Sequence, residues 1–318
     1  MKAITGLVYH DDYLKHNTGD QHPESSKRFV HLMEYLKETK IWKDLEFIKP
    51  YNPSLKWIKL VHSQEYIKSI EEACKNGVEM LDADTTISRD SYDVALLAAG
   101  GVLAGVDAVI QERVKNVFCV VRPPGHHAEH ERAMGFCIFN NIAVAARYIQ
   151  KKHALEKVLI VDWDAHHGNG TQNAFYYDPS VYYFSVHQFP HYPGTGKEDE
   201  TGEREGTGFT LNMPMAAGSG DVEYLEAFEN ILYPAAQKFS PDFILISAGF
   251  DGHKDDPLSN LNLTAAGYEK LTQTISDLAE ECCRGRMVSI LEGGYNLKAL
   301  SESVEAHLFA LMGKNLLT

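Results

Sequence analysis

The chain is poor in the features that would place it in several large protein classes. Its 318 residues hold five cysteines, Cys74, Cys119, Cys137, Cys282 and Cys283. The number is odd, the spacing fits no zinc finger, and the adjacent pair at 282–283 is awkward for bridging. A disulfide framework is excluded and a reducing, cytoplasmic location is expected. Basic residues are also in deficit, 30 Lys plus Arg against 44 Asp plus Glu, leaving a net charge of −14. Such a surface repels nucleic acid and anionic membrane, and mildly attracts cationic ligands. The opening stretch MKAITGLVYH lacks the apolar run of a secretory signal, and no segment reads as a membrane span. Long polar linkers, internal repeats and low-complexity tracts are likewise missing. The length then allows one large α/β domain or two small ones.

What is present is ordinary in amount, 44% hydrophobic and 23% charged, but ordered in pattern. Apolar, β-branched runs at 4–9, 117–121, 158–161, 181–186, 243–247 and 287–291 read as strands. Helical periodicity is expected over 28–39, 64–74, 92–111, 140–150, 224–238 and 265–283, with a further helix after 297. The stretch LDADTTIS (81–88) is too polar for core and reads as a surface loop, as does the Gly-rich segment 194–208. Strands alternating with helices imply a mostly parallel sheet covered on both faces.

The unusual polar residues fall just past the C-terminal ends of these strands: His126 and His127, Asp162 to His166, Asp251, and Tyr295. That edge is where sites form in open α/β sheets. In VLIVDWDAHHGNG (158–170), Asp162, Asp164 and His166 are spaced two apart, so an extended chain turns all three to one side. Asp164 and His166, with Asp251 from AGFDGH as the best third candidate, would hold a divalent ion with a position left open. The mixed oxygen and nitrogen set suits Zn²⁺ without excluding Fe²⁺ or Co²⁺. Either His126 or His127 could then move a proton, with Asp162 and Asn169 available as partners for their remote nitrogens. The two histidines should titrate differently, because an Asp partner raises imidazole basicity more than an Asn does. The hydroxyl of Tyr295, behind Gly293 and Gly294, could donate to a developing oxyanion.

RPPGHHAEHERAMGFCIFNN, VLIVDWDAHHGNGTQ, HYPGTG, SAGFDGHKDDPL and LEGGYNL together resemble the zinc-dependent histone deacetylase family, above all its class II branch and the bacterial deacetylase-like amidohydrolases. The similarity runs in order from about His22 to Leu297. It implies the arginase/deacetylase fold, a single α/β catalytic domain over 1–318 with a central, mostly parallel sheet. It also implies hydrolysis of an acetylated amine to acetate and free amine. Carried over position by position, it makes Asp164, His166 and Asp251 the zinc ligands and His127 the general base and acid. His126 becomes an electrostatic partner bonded to Asp162, and Tyr295 the carbonyl-polarising donor. Gly135, Phe136, Tyr192 and Leu258 match the walls of a narrow acyl-lysine tunnel, and Asp84 aligns with a rim aspartate. A structural K⁺ is implied at Asp162, Ser185 and the carbonyls near Asp164, His166 and Val186. A second monovalent site is implied near Phe175, Asp178, Val181 and Phe209.

Asn169 and Glu292 follow the class II pattern, where class I members have Asp and Gly. Leu258 stands where polyamine-selective relatives carry Glu, which favours acetyl-lysine in a peptide or protein over an acetylpolyamine or other small amide. Two further readings are a two-Mn²⁺ ureohydrolase and a scaffold with a dead site. The first lacks its bridging carboxylates, having Gly168 and His253 in their places, and the second conflicts with an intact set of ligands, histidines and Tyr295. Oligomeric state is not indicated.

Overall fold

Eight short runs of apolar residues build one sheet, in a computed structural model that describes residues 4–314. In chain order the elements are β1 (Thr5–Val8), α1 (Lys27–Glu38), β2 (Leu45–Ile48), α2 (Leu55–Ile58), α3 (Gln64–Lys75), α4 (Ser91–Ile110), β3 (Asn116–Cys119) and α5 (Asn141–His153). There follow β4 (Val158–Asp162), α6 (Asn169–Phe175), β5 (Val181–Gln188), β6 (Thr210–Met215), α7 (Asp221–Ala227), α8 (Tyr233–Phe239), β7 (Phe243–Ala248), α9 (Ala265–Cys283), β8 (Met287–Leu291) and α10 (Leu297–Leu311). The sheet order is β2-β1-β3-β8-β7-β4-β5-β6, and every pairing is parallel.

The four central strands β3, β8, β7 and β4 are buried along their whole length. A strand covered on both faces must be apolar at every position, which is why these runs show no alternation. Helices α5 and α10 begin at Asn140 and Asn296, whose side chains accept the backbone N–H three residues on. Both caps lie beside the strand ends that carry the polar motifs.

The two strands not expected from sequence, β2 and β6, are the two edges of the sheet. β2 is buried only at its ends, and β6 is mostly half-buried and contains Pro214. Edge strands lack the continuous apolar signal, and an edge tolerates proline because one side needs no ladder hydrogen bonds. The single helix expected over 224–238 is interrupted by a wide π turn at Phe228–Leu232. Pro234 cannot donate to the preceding turn, and the wider turn accommodates its ring. The loop 81–88 is not simply surface: Thr85 and Ile87 are buried.

Helix α4 is long and apolar enough to cross a membrane by length and composition alone, contrary to the sequence reading. It packs instead against β1, β3 and α5 inside the protein. A Cβ on Gly100 would overlap the Tyr51 carbonyl, so glycine is what permits that close approach.

A fully buried ion network ties the loop before α1 to the segment after β3. Arg122 reaches the Glu24 carboxylate through two nitrogens at 2.9 and 2.8 Å, and Arg28 adds a third contact at 3.3 Å. Burial alone would raise the Glu24 carboxyl, but Arg122 and then Arg28 hold it down at about 2. Removing one partner from a buried pair leaves uncompensated charge. Glu24→Gln should therefore destabilise the fold by ~3–5 kcal/mol near neutral pH in urea unfolding. Because the folded value is depressed, the carboxylate's contribution is full above its unfolded value and fades as pH falls towards about 2. The gap between wild type and variant should narrow over that acidic window.

Candidate active site

The C-terminal ends of the four central strands converge on one cluster. β4 runs straight into Asp162, Asp164 and His166; β7 leads to Asp251; β8 leads to Glu292 and Tyr295; and the loop after β3 brings His126 and His127. Donor atoms of Asp164, His166 and Asp251 lie within 4.8 Å of one another. His166 Nδ1 faces Asp164 Oδ1 at 3.1 Å and Asp251 Oδ2 at 2.9 Å. The carboxylates are oriented from behind: Asp164 Oδ2 accepts the Gly293 N–H at 2.8 Å, and Asp251 Oδ1 accepts the Ala165 N–H at 2.9 Å. A Cβ on Gly293 would fall on both carboxyl groups, so the turn beneath Tyr295 requires glycine.

The electrostatics of this cluster are those of a cation site. Burial and the Asp164 charge push the Asp251 carboxyl up to about 7. Burial works against a charged His166, yet the hydrogen bonds it donates to Asp164 and Asp251 raise it to about 10. Two buried carboxylates and one imidazole nitrogen thus compete for protons where a divalent ion would serve all three, and the set fits a metal such as Zn²⁺.

The histidine pair behaves as two different groups. His126 Nδ1 donates to Asp162 Oδ2 at 3.1 Å. Burial opposes its charge, but Asp162 and then Asp164 raise it to about 10. His127 Nδ1 lies 2.8 Å from Asn169 Oδ1. The Asn169 amide orientation is fixed because its Nδ2 donates to the Glu129 carboxylate at 2.8 Å. His127 therefore donates from Nδ1, and its Nε2 is left as the acceptor. Burial, then the charges of His126 and His166, press His127 well below the usual imidazole range. It stays neutral and able to take a proton.

All five expected tunnel residues meet in one cavity. Asp84, Gly135, Phe136, Tyr192 and Leu258 line about 220 Å³ together with His127, His166, His191 and Tyr295. A larger cleft of about 490 Å³, lined by His10, Asp12, Lys49 and Asp93 among others, contains none of the convergent groups. Phe136 takes a left-handed backbone, φ +67°. The loop set aside as surface supports this wall: the Gly135 N–H donates to Asp84 Oδ1 at 3.0 Å, and the Phe136 N–H to Thr85 Oγ1 at 3.3 Å. The Tyr295 hydroxyl is raised well above its usual range by burial and then Asp251, so it remains a donor.

Sequence reasoning gave no supporting role to the residues that hold Tyr295. Arg28 donates to the carbonyls of Gly294 and Glu292 at 2.6 and 2.7 Å, and its guanidinium lies 4.9 Å from the Tyr295 ring centre. Asp256 Oδ2 accepts the Tyr295 N–H at 2.6 Å. Glu292 Oε2 accepts the N–H of Gly125 at 2.7 Å, tying the Tyr295 turn to the histidine loop. Glu292 and Asp256 lie inside the quoted motifs LEGGYNL and SAGFDGHKDDPL, but their hydrogen-bond partners are not visible there, and Arg28 is far from Tyr295 in sequence. His191 lay within a quoted motif but was not named.

The residues of the expected potassium site are neighbours. Asp162 and Ser185 are paired across β4 and β5, and Val186 follows Ser185. Ser185 Oγ contacts His187 Nδ1 at 2.8 Å, and Asp162 Oδ2 accepts the Tyr183 hydroxyl at 3.1 Å. At the second expected site the Asp178 carboxylate is taken by Arg147 and Ser180. The carbonyls of Phe175, Asp178 and Phe209 each accept a backbone N–H, the Asp178 carbonyl from Val181.

Comparison with known proteins agrees with this geometry. Residues 22–311 match the histone deacetylase domain. The chain belongs to the histone deacetylase family. It is 40% identical to a probable deacetylase of Archaeoglobus fulgidus over 97% of this chain and 86% of that one. It is 41% identical to histone deacetylase 14, chloroplastic, of Arabidopsis thaliana, over 98% of this chain and 78% of the relative. The crystal structure of the HDA15 HD domain superposes with a TM-score of 0.93 at 39% identity, covering 98% of this chain and 90% of that one. The fold is thus the family's arginase/deacetylase fold, and the chain is a hydrolase of the deacetylase type. The ureohydrolase and scaffold readings fall away.

If the cluster is a metal centre, uptake must displace the proton held at His166. Titration with Zn²⁺ or Co²⁺ at pH 7 should show one ion per chain and release of between one and two protons, one from His166 and part of one from Asp251, with affinity falling as pH is lowered. Calorimetry in buffers of different ionisation enthalpy measures both.

Proposed function

We propose that this deacetylase is zinc-dependent and cleaves the amide of acetyl-lysine in a peptide or protein to acetate and free amine. The observation that carries the reading is the meeting of Asp164, His166 and Asp251 with His127 and Tyr295 at one narrow cavity walled by Phe136, Tyr192 and Leu258. A Zn²⁺ held by the three ligands would acidify a water molecule and polarise the amide carbonyl. His127 Nε2, left as the acceptor, would take a proton from the attacking water and return it to the leaving nitrogen. Tyr295 donates its hydroxyl hydrogen bond to the carbonyl oxygen as negative charge builds there. His126 stays charged beside Asp162 and adds positive potential. Phe136 and Tyr192 flank an extended methylene chain and keep water out, and the apolar Leu258 gives no counter-charge to a polyamine nitrogen. Asp84 at the rim would hold the substrate backbone.

We further assign a structural K⁺ to Asp162, Ser185 and the carbonyls of Asp164, His166 and Val186, a reading supported by the pairing of β4 and β5 that sets Asp162 beside Ser185. The five free thiols accord with a reducing, cytoplasmic setting. No direct nucleic-acid or membrane partner is proposed.

Turnover of acetyl-lysine peptides compared with acetylated putrescine and spermidine tests the substrate class. The peptide should be preferred in kcat/KM, and a clear preference for the polyamine would overturn the assignment. His127→Ala should abolish turnover while metal content stays at the wild-type level. Tyr295→Phe should lower kcat by roughly 10²–10³-fold with little change in KM; an unchanged kcat would remove Tyr295 from the mechanism.

A further inference from the structure

His191 lies in the loop after β5 and lines the cavity, yet the proposed chemistry gives it no task. Its ring is stacked on that of His166, with centroids 4.9 Å apart and planes at 22°. The other ring contacts of His166, to His127 and Tyr192, are edge-on. An imidazole that ligates through Nδ1 has one soft freedom left, rotation of the ring, and a parallel face alongside restricts it.

The other side of His191 makes a second connection. Its Nε2 lies 2.9 Å from the carbonyl oxygen of Leu258. A carbonyl only accepts, so Nε2 carries the hydrogen and donates it. The N–H of Leu258 is held in turn by Asp256 Oδ1 at 3.0 Å, and the other oxygen of Asp256 holds the Tyr295 N–H. A continuous path of contacts thus runs from His166 through His191, Leu258 and Asp256 to the backbone of Tyr295. Leu258 is fixed at both its backbone groups, which sets the cavity width at that wall.

We propose that His191 is a positioning residue with two separable actions: its ring face holds His166 in the ligating orientation, and its Nε2–H fixes the Leu258 wall for a slender acyl-lysine chain. The inference rests on the metal-dependent reading above.

Two substitutions separate the actions. His191→Phe keeps a ring face but has no donor; His191→Gln keeps a donor but has no ring. Both replace a half-exposed side chain of similar size, and circular dichroism verifies the fold. Co²⁺ affinity is measured by chelator competition, and kcat and KM with an acetyl-lysine peptide. His191→Phe should bind Co²⁺ within about threefold of wild type and raise KM up to about tenfold, the scale of one lost hydrogen bond. His191→Gln should keep KM near wild type and bind Co²⁺ roughly 10–100-fold more weakly, as expected when support for a ligating histidine is lost. Any other pattern, including equal effects of the two variants on both quantities, would overturn the assignment. Wild-type protein that took up no Co²⁺ would instead overturn the metal centre beneath it.

Discussion

The structure depends on the concentration of carboxylates at the buried ends of its central strands. Asp162 and Asp251 are fully buried, and Asp164 and Glu292 nearly so. Negative charge removed from water is costly unless it is paired and hydrogen-bonded. Much of the surrounding detail supplies that compensation: backbone N–H groups of Ala165 and Gly293, the charged His126, and room for a cation among the three ligand groups. The glycine at 293 follows from the same demand.

The sheet gives this charge its location. Parallel strands all end on one side, and the order places β3, β8, β7 and β4 next to one another, so segments from residue 126 to residue 295 meet within a few ångströms. Strand ends of β4 and β7 bring Asp162 and Ser247 side by side, and Ser247 in turn contacts Glu292. Helices supply the second rank of support. Asn169, the first residue of α6, fixes the tautomer of His127, and α1 presents Arg28 to the turn that carries Tyr295.

Much of this was legible in the sequence, for identifiable reasons. Central strands announce themselves by unbroken apolar runs, and polar residues directly after such runs have little structural cause to be there. Asp164, His166, Asp251, the histidine pair and Tyr295 were found in this way, and the family motifs added the cavity walls. The edge strands β2 and β6 escaped because they are partly exposed. The loop 81–88 was misjudged because composition does not reveal that Thr85 and Asp84 bind the backbone of Gly135 and Phe136. Glu24, Arg28 and Arg122 were not recognised as a network because their partners are far away in the chain. Helix α4 shows the converse: its apolarity satisfies a membrane criterion, and only its packing explains it.

The strand order also bears on how the protein is made. β3 pairs with β8, and β4 with β7, so the middle of the sheet joins residues 171 and 85 positions apart, Asn116 with Met287 and Val158 with Phe243. Contacts of such long sequence separation form late and slow folding, since large loops must close first. During synthesis β3 has β1 beside it, but its other edge stays open until residues 287–291 emerge. The apolar centre of the nascent sheet is therefore open to mispairing until β8 has been made, and the edge that carries the polar cluster can be assembled only after residue 295 has followed it.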